Sequence, residues 1–260
     1  MPHIPSLIGV IHLAPLPGSP RFGDRLSDVI VSAVSDARAL STAGFDAIMV
    51  ENFGDAPFFP EQVPPITIAS MTTCILAVRD GVAPEMPIGV NVLRNDALSA
   101  LSIAAATNAA FIRINVHTSA RVADQGMLQG RAHETLRARR ALGANVLLLC
   151  DVDVKHSAAL AARSLSEETE DLCARGLADA VLVTGSRTGH ATDTKHLEEV
   201  LAVSSVPVLV ASGVTEHTLP SFVKAHGVIV GSALRANGRA GEPIDPQRAR
   251  DFARAFRAAK

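Results

Sequence analysis

Tryptophan and tyrosine are absent from this chain, and nine phenylalanines are its only aromatic residues. A surface that stacks nucleic-acid bases or sugar rings needs more aromatic area than that. Charge is also scarce: 19% of residues are charged, and the net charge is -2. A nucleic-acid partner normally leaves a basic patch, so no nucleic acid is expected. Lys and Arg are scattered, and the one dense run, Arg137, Arg139 and Arg140, falls on a predicted helix as a solvated face. The three cysteines, Cys74, Cys150 and Cys173, show neither zinc-ligand nor CxxC spacing. Their odd number, with no signal-peptide pattern, points to a reducing cytoplasm. No apolar run is long enough to span a bilayer, so no membrane insertion is expected.

What the sequence does have is apolar material. Of 260 residues, 48% are hydrophobic, enough for a sizeable core. Short β-branched runs alternate with Ala-rich amphipathic stretches. Strands are predicted at 7–11, 46–50, 88–92, 111–115, 146–150, 180–184, 206–211 and 227–231. Each is nearly all apolar, as a parallel strand buried on both faces should be. Helices are predicted at 28–42, 67–80, 95–107, 131–142, 166–176, 193–203, 216–225 and 245–258. Ser27 and Asn95 are candidate caps, Gly44 a helix stop, and Pro246 suits a first turn. Eight such units without a linker indicate a single-domain (β/α)8 TIM barrel over residues 1–260. A doubly wound sheet is the alternative. Long inserts follow the first, second, fourth and fifth strands, at 12–27, 51–66, 116–130 and 152–165. In a barrel these loops lie at the C-terminal face, where active sites sit.

The same geometry sorts the polar residues. The strand ends carry His12, Glu51 with Asn52, Asn91, Asn115, Asp151, Thr184 with Gly185, Ser212 with Gly213, and Gly231 with Ser232. Arg113 lies two residues before Asn115, so both face the barrel interior. A charge there needs a partner, which Glu51 or Asp151 can supply. A structural ion pair is the plain alternative for Arg113. For the ring as a whole, convergence on one mouth favours chemistry. His12, Glu51, Asn115, Asp151 and Lys155 are the catalytic candidates. Asp151 or Glu51 would be the base, and His12 its partner acid or orienter. Asn52, Asn91, Arg113, Asp124 and His156 are expected to contact substrate.

Small, Gly-containing turns, ASGV (211–214) and VGSAL (230–234), end the last two strands. Gly lets backbone N–H groups approach an anion, and a following helix start would add a favourable dipole. A phosphate site is therefore expected at Gly185, Ser186, Gly213, Gly231 and Ser232, with Arg187 nearby. Only four lysines occur: Lys155, Lys195, Lys224 and Lys260. Lys155 lies beyond its predicted strand, outside the desolvated barrel. Anion binding is therefore expected of it rather than an imine, with a surface salt bridge as the plain alternative. No cofactor is predicted. A divalent metal on His12, Glu51, Asp151 and His156 is possible in principle, but no HxH or HExxH spacing supports it.

The blocks GVIHLAPLPGSPRFGD, DAIMVENFGDAPF, DVDVKHSAAL, ADAVLVTGSRTG and GVIVGSALRANG together resemble the BtpA/SgcQ family over almost the whole chain. The segment 115–126 departs from it, with His117 and Ser119 where a Gly-Ala type segment is common. The resemblance implies a phosphate-binding (β/α)8 barrel. It assigns no reaction: one member is implicated in photosystem I biogenesis, and another lies in a bacterial sugar-utilisation gene cluster. Two expectations follow. One is an isomerase or lyase acting on a small phosphorylated sugar or nucleoside-derived metabolite. The other is a non-catalytic assembly or regulatory factor. The ligand partner would be that phosphorylated molecule, and a homo-oligomer is possible. The high Ala and Arg content suits a GC-rich bacterial genome.

Overall fold

In a computed structural model of the chain, residues 3–23, 25–185 and 193–260 are described. The first strand, β1 (Leu7–His12), sets the pattern. Ile8, Val10 and His12 alternate inward, while Leu7, Gly9 and Ile11 face the surrounding helices. Each further barrel strand repeats this two-residue period: β2 (Ala47–Glu51), β3 (Ile88–Asn91), β4 (Phe111–Ile114), β7 (Leu147–Val152), β9 (Ala180–Val183), β10 (Val208–Val210) and β11 (Gly227–Val230). All eight pair in parallel and close in the order β1-β11-β10-β9-β7-β4-β3-β2. The expected (β/α)8 barrel is therefore the fold.

Two apolar layers hold it together. The outer layer packs strand residues such as Ile48, Val90, Ile112 and Val181 against the helices. The inner layer fills the barrel with Ile8, Met49, Phe111, Leu149, Leu182 and Ile229, among others. Two glycines make this packing possible. At Gly9 a Cβ would lie 2.4 Å from Cδ2 of Leu40 on α1 (Leu26–Ala43). At Gly89 it would lie 2.0 Å from the Phe111 ring, which occupies the space inside β3.

The remaining helices are α2 (Pro65–Asp80), α3 (Ala97–Thr107), α4 (Ala132–Ala141), α5 (Leu165–Ala174), α6 (Thr194–Val203) and α7 (Pro246–Ala259). Gly44 ends α1 at φ 85, as expected of a helix stop. The expected caps differ. Arg25 occupies the start of α1 with no side-chain cap, and Asp96 rather than Asn95 caps α3 by accepting from the Ser99 N–H at 3.0 Å. Asn95 instead pins the chain after β4, bonding both the N–H and the C=O of Val116.

Two features depart from the sequence pattern. The helix expected at 216–225 is only a 3-10 turn, Leu219–Phe222. Pro220 removes a donor, and Thr218 and Thr215 bond each other's backbone instead of a helical ladder. The loops after β4 and β7 are ordered as a small antiparallel sheet of β5 (Ala120–Ala123), β6 (Gly126–Gln129) and β8 (Ser157–Ala159), in the order β6-β5-β8. Buried Arg121 clamps it, donating to Ser157 Oγ, Glu168 and Asp153.

Gly89→Ala drives a methyl into the Phe111 ring, and overpacking of this kind costs about 1–3 kcal/mol. Urea unfolding should show that loss, and Phe111→Leu in the same chain should recover part of it. Independent, additive effects of the two substitutions would show that the ring is not the obstacle.

Candidate active site

Parallel register brings the first polar residues together. His12 pairs across to Glu51, and Glu51 to Asn91, at the C-terminal ends of β1, β2 and β3. Asn91 Nδ2 donates to Glu51 Oε2 at 2.6 Å, which orients the carboxylate. The other oxygen, Oε1, stands 3.9 Å from His12 Nε2. His12 Nδ1 accepts the Gly241 N–H at 3.2 Å, which places the neutral ring's proton on Nε2, facing Glu51. The ring packs against Phe53 at 4.5 Å between centroids. A side chain at Gly231 would meet it, with a Cβ 3.0 Å from Cε1. Burial holds the His12 pKa well below its ordinary value, and the cations Arg235, Lys155 and Arg113 push in the same direction. The imidazole is therefore a neutral N–H donor, not an imidazolium acid.

Below them lies a buried charge network. Arg113 on β4 donates from Nε and Nη2 to both oxygens of Asp151 on β7, each at 3.0 Å. Asn115 Nδ2 adds a bond to Asp151 Oδ2 at 2.7 Å. The Asp151 side chain is fully covered. Of the two expected bases, Asp151 is thus a structural anchor with both oxygens engaged, and Glu51 alone reaches the cleft. Asn115 spends its amide N–H on the same anchor, while its Oδ1 has no partner among the described residues.

Two adjoining cavities share Glu51, Phe53, Arg113 and Lys155. The smaller, about 50 Å³, is also lined by His12, Ser212, Gly213, Gly231 and Ser232. The expected turns after β10 and β11 therefore border the same space as His12 and Glu51. No α-helix follows either turn; each leads to a 3-10 segment, Leu219–Phe222 or Ser232–Leu234. Donors there are turn N–H groups, not the ends of long helix dipoles. Gly185 is buried at the end of β9 and borders neither cavity. Ser186 and Arg187 lie outside the described residues.

The larger cavity, about 500 Å³, is lined by Arg94, Asn115, Asp124 and His156 as well as the shared residues. Asp124 reaches it from the β5–β6 hairpin, and His156 from the turn after β7, where its φ is 59. Asn52 is not part of this mouth. Its Oδ1 accepts the Leu93 N–H at 2.7 Å and its Nδ2 donates to Asp55, so it braces the loop after β2.

Lys155 also differs from expectation. The chain turns back after β7, and the side chain, half-buried, borders both cavities. Burial lowers its pKa, reinforced by Arg113 and Arg94 and opposed by Glu51 and Asp151. Among the described residues no carboxylate lies within 4.0 Å of it.

Two arginines were missed in the sequence. Arg94 is buried and donates to the Lys155 carbonyl at 2.7 Å. Arg235 is fully buried, and it ties the Gly231 carbonyl (2.8 Å) to that of Val10 (3.1 Å). The signal for Arg235 was an arginine two residues past the SA pair of the last turn, with no acidic neighbour in sequence. Among the described residues no group of three or more His, Cys, Asp or Glu side chains is placed to hold a metal ion. None of the described helices is long and apolar enough to cross a membrane.

Fold and site together define a (β/α)8 barrel with a polar, cation-rich cleft at the C-terminal mouth. The sequence profile of the BtpA family matches residues 4–258, and the chain belongs to that family. The chain is 43% identical to the photosystem I biogenesis protein BtpA of Synechocystis over 96% of this chain and 87% of that protein. An uncharacterised protein of the archaeon Pyrococcus furiosus is also 43% identical, over 95% of this chain and 93% of its own length. Among solved structures, phosphoribosyl anthranilate isomerase from Thermus thermophilus superposes with a TM-score of 0.59 at 12% identity, covering 98% of this chain and 100% of that one. That likeness is one of fold.

Arg113→Met strands the Asp151 carboxylate without a counter-charge and should cost about 3–5 kcal/mol in denaturant unfolding. Adding Asp151→Asn should recover much of the loss. A single-variant cost below about 1 kcal/mol would refute the anchor role. His12 gives a pH signature. Its folded pKa is depressed, so below about pH 6.5 the unfolded chain binds a proton that the folded chain excludes. The stability present above that pH is lost as pH falls. His12→Asn should lose less than wild type on acidification in matched thermal melts. His117, also depressed by burial, titrates in both proteins and cancels.

Proposed function

We propose that the mouth of the barrel is the active site of an isomerase or lyase acting on a small phosphorylated sugar or nucleoside-derived metabolite. The observation that carries this is one juxtaposition. Glu51 Oε1 and the His12 Nε2–H stand 3.9 Å apart beside the cavity lined by the Ser212–Gly213 and Gly231–Ser232 turns.

The roles follow from the geometry. The turns supply backbone and hydroxyl donors for a phosphate ester. A carbonyl oxygen next to it faces the His12 N–H, with the Lys155 side chain bordering the same cavity. Glu51 Oε1 takes a proton from the carbon beside that carbonyl, while Asn91 holds Oε2 in place. The negative charge that develops on oxygen is stabilised by the neutral imidazole donor and the surrounding cations. Water exclusion comes from Phe53, Phe58 and Leu93 on the cleft wall. The name of the structurally similar phosphoribosyl anthranilate isomerase is consistent with a phosphate ester in a barrel of this shape.

Thermal melts against a panel of sugar and nucleoside phosphates, followed by NMR of the stabilising compounds, test this. A phosphate ester should raise Tm in wild type and fail to do so in Gly213→Asp. Glu51→Gln should keep binding and lose about 10²–10⁴-fold in turnover, the range for a general base. No stabilisation by any phosphate ester would overturn the reading. It would favour the assembly role that the name of the Synechocystis relative carries.

A further inference from the structure

Resting on the reading of the mouth as an active site, we infer that Lys155 is a covalent catalyst: its amine forms an imine with a carbonyl carbon of the phosphorylated substrate. The substrate class then narrows to aldehyde or keto phosphates, and the reaction to one that passes through an enamine.

Three observations converge on Lys155. First, it borders both cavities of the mouth together with Glu51 and Arg113. Second, among the described residues no carboxylate lies within 4.0 Å of it, so no ion pair ties up its amine. The three other lysines lie on the exposed outside, Lys224 paired with Glu198 at 3.0 Å and Lys260 bonded to the Ala225 carbonyl. Third, its backbone is fixed on both sides. The Lys155 N–H donates to Thr184 Oγ1 at 3.2 Å, that hydroxyl donates to the Asp153 carbonyl at 3.1 Å, and Arg94 holds the Lys155 carbonyl. Positive φ at Asp153 (51) and His156 (59) folds the segment back over the barrel end. Anion binding alone does not need this. Arg94 and Arg113 already line the mouth with guanidiniums, each of them fixed by a bond to protein oxygen. Burial and the neighbouring arginines also favour the neutral amine, the nucleophilic form.

The chemistry balances with groups present in the cleft and water. The Lys155 nitrogen lone pair attacks the carbonyl carbon, and the carbonyl π pair moves to oxygen. Glu51 relays a proton from nitrogen to that oxygen, which leaves as water on a second protonation, and the iminium remains. Glu51, again a carboxylate, then removes the proton of a hydroxyl on the β carbon and keeps it for the α carbon. That O–H pair becomes the new C=O, the bond between the α and β carbons breaks, and its electron pair flows to nitrogen as an enamine. Protonation of the α carbon restores the iminium. Water hydrolyses it, releasing the second carbonyl product and the free amine. Removal and return of a proton at the α carbon alone would give isomerisation through the same enamine.

Borohydride trapping tests this on the whole chain. Triose, pentose and hexose phosphates bearing a free carbonyl are incubated with protein and reductant, and intact mass is followed by peptide mapping. One adduct per chain is expected on Lys155, heavier by the mass of the sugar phosphate less one oxygen atom. Lys155→Arg should lose that adduct. Thermal melts with the same compounds, and with inorganic phosphate, are run in parallel. A carbonyl phosphate that raises Tm but leaves no adduct, or one spread over Lys195, Lys224 and Lys260, overturns the imine and leaves the phosphate site standing. No stabilisation and no adduct with any compound overturns both.

Discussion

The bidentate bond between Arg113 and Asp151 is the constraint on which the mouth is built. Two opposite charges are removed from water at the centre of the barrel, a costly arrangement that survives only with full hydrogen bonding. Arg113 supplies two bonds and Asn115 a third, and the three side chains join β4 to the neighbouring β7. Beneath them the barrel is apolar; above them it is a polar cleft. The pair marks that boundary. It also adds to the electrostatics above it, because the Arg113 charge weighs against the cationic forms of both His12 and Lys155. Burial is the larger cause in both cases, and the arginine adds to it in disfavouring a second positive charge.

Much of this was legible in the sequence, for one physical reason. Parallel strands buried on both faces leave an unbroken apolar record. A polar residue at the end of such a run has only the mouth to occupy. His12 and Glu51 follow that rule and line the cleft, Asn91 and Asp151 are buried next to it, and strand register places His12, Glu51 and Asn91 side by side. Arg113 and Asn115 were placed together by two-residue spacing alone. What failed was everything that depends on a partner distant in sequence. Ser157–Ala159 becomes a strand only because Ala120–Ala123 is there to pair with it. Without that pairing, Lys155 belongs to an open loop beyond the barrel; with it, the chain doubles back and the lysine borders the cleft. Asn52 failed in the opposite sense: a strand-end position suggested the mouth, but a backbone N–H at Leu93 captured its side chain.

Local chemistry explains the remaining differences. The segment between Gly213 and Gly227 had helical composition, yet the Thr215–Thr218 exchange and Pro220 favoured a turn. The phosphate reading of that region loses its long-helix dipole but keeps its donors. Ser119 illustrates the reverse case. It adopts φ 61, a conformation that favours glycine, although nothing in its side chain announces that backbone demand.

The charges that line the cleft bear on the ligand proposed for it. The chain as a whole is slightly acidic, at -2. The mouth is more evenly charged: Arg94, Arg113 and Lys155 line it together with Glu51 and Asp124, Arg113 is paired with Asp151, and Arg235 is buried behind the wall it ties together. Arg235 is fully buried with its Nε unpartnered, and no carboxylate lies within 4.0 Å of it among the described residues. An anion placed against the turns after β10 and β11, as proposed, would lie near Lys155 and Arg113 and in the cavity that Asp124 does not line. The field of those two cations would raise the acidity of a carbon beside a bound carbonyl. On the proposed reading, the same cations would hold a phosphate ester and stabilise the charge that forms when Glu51 takes a proton.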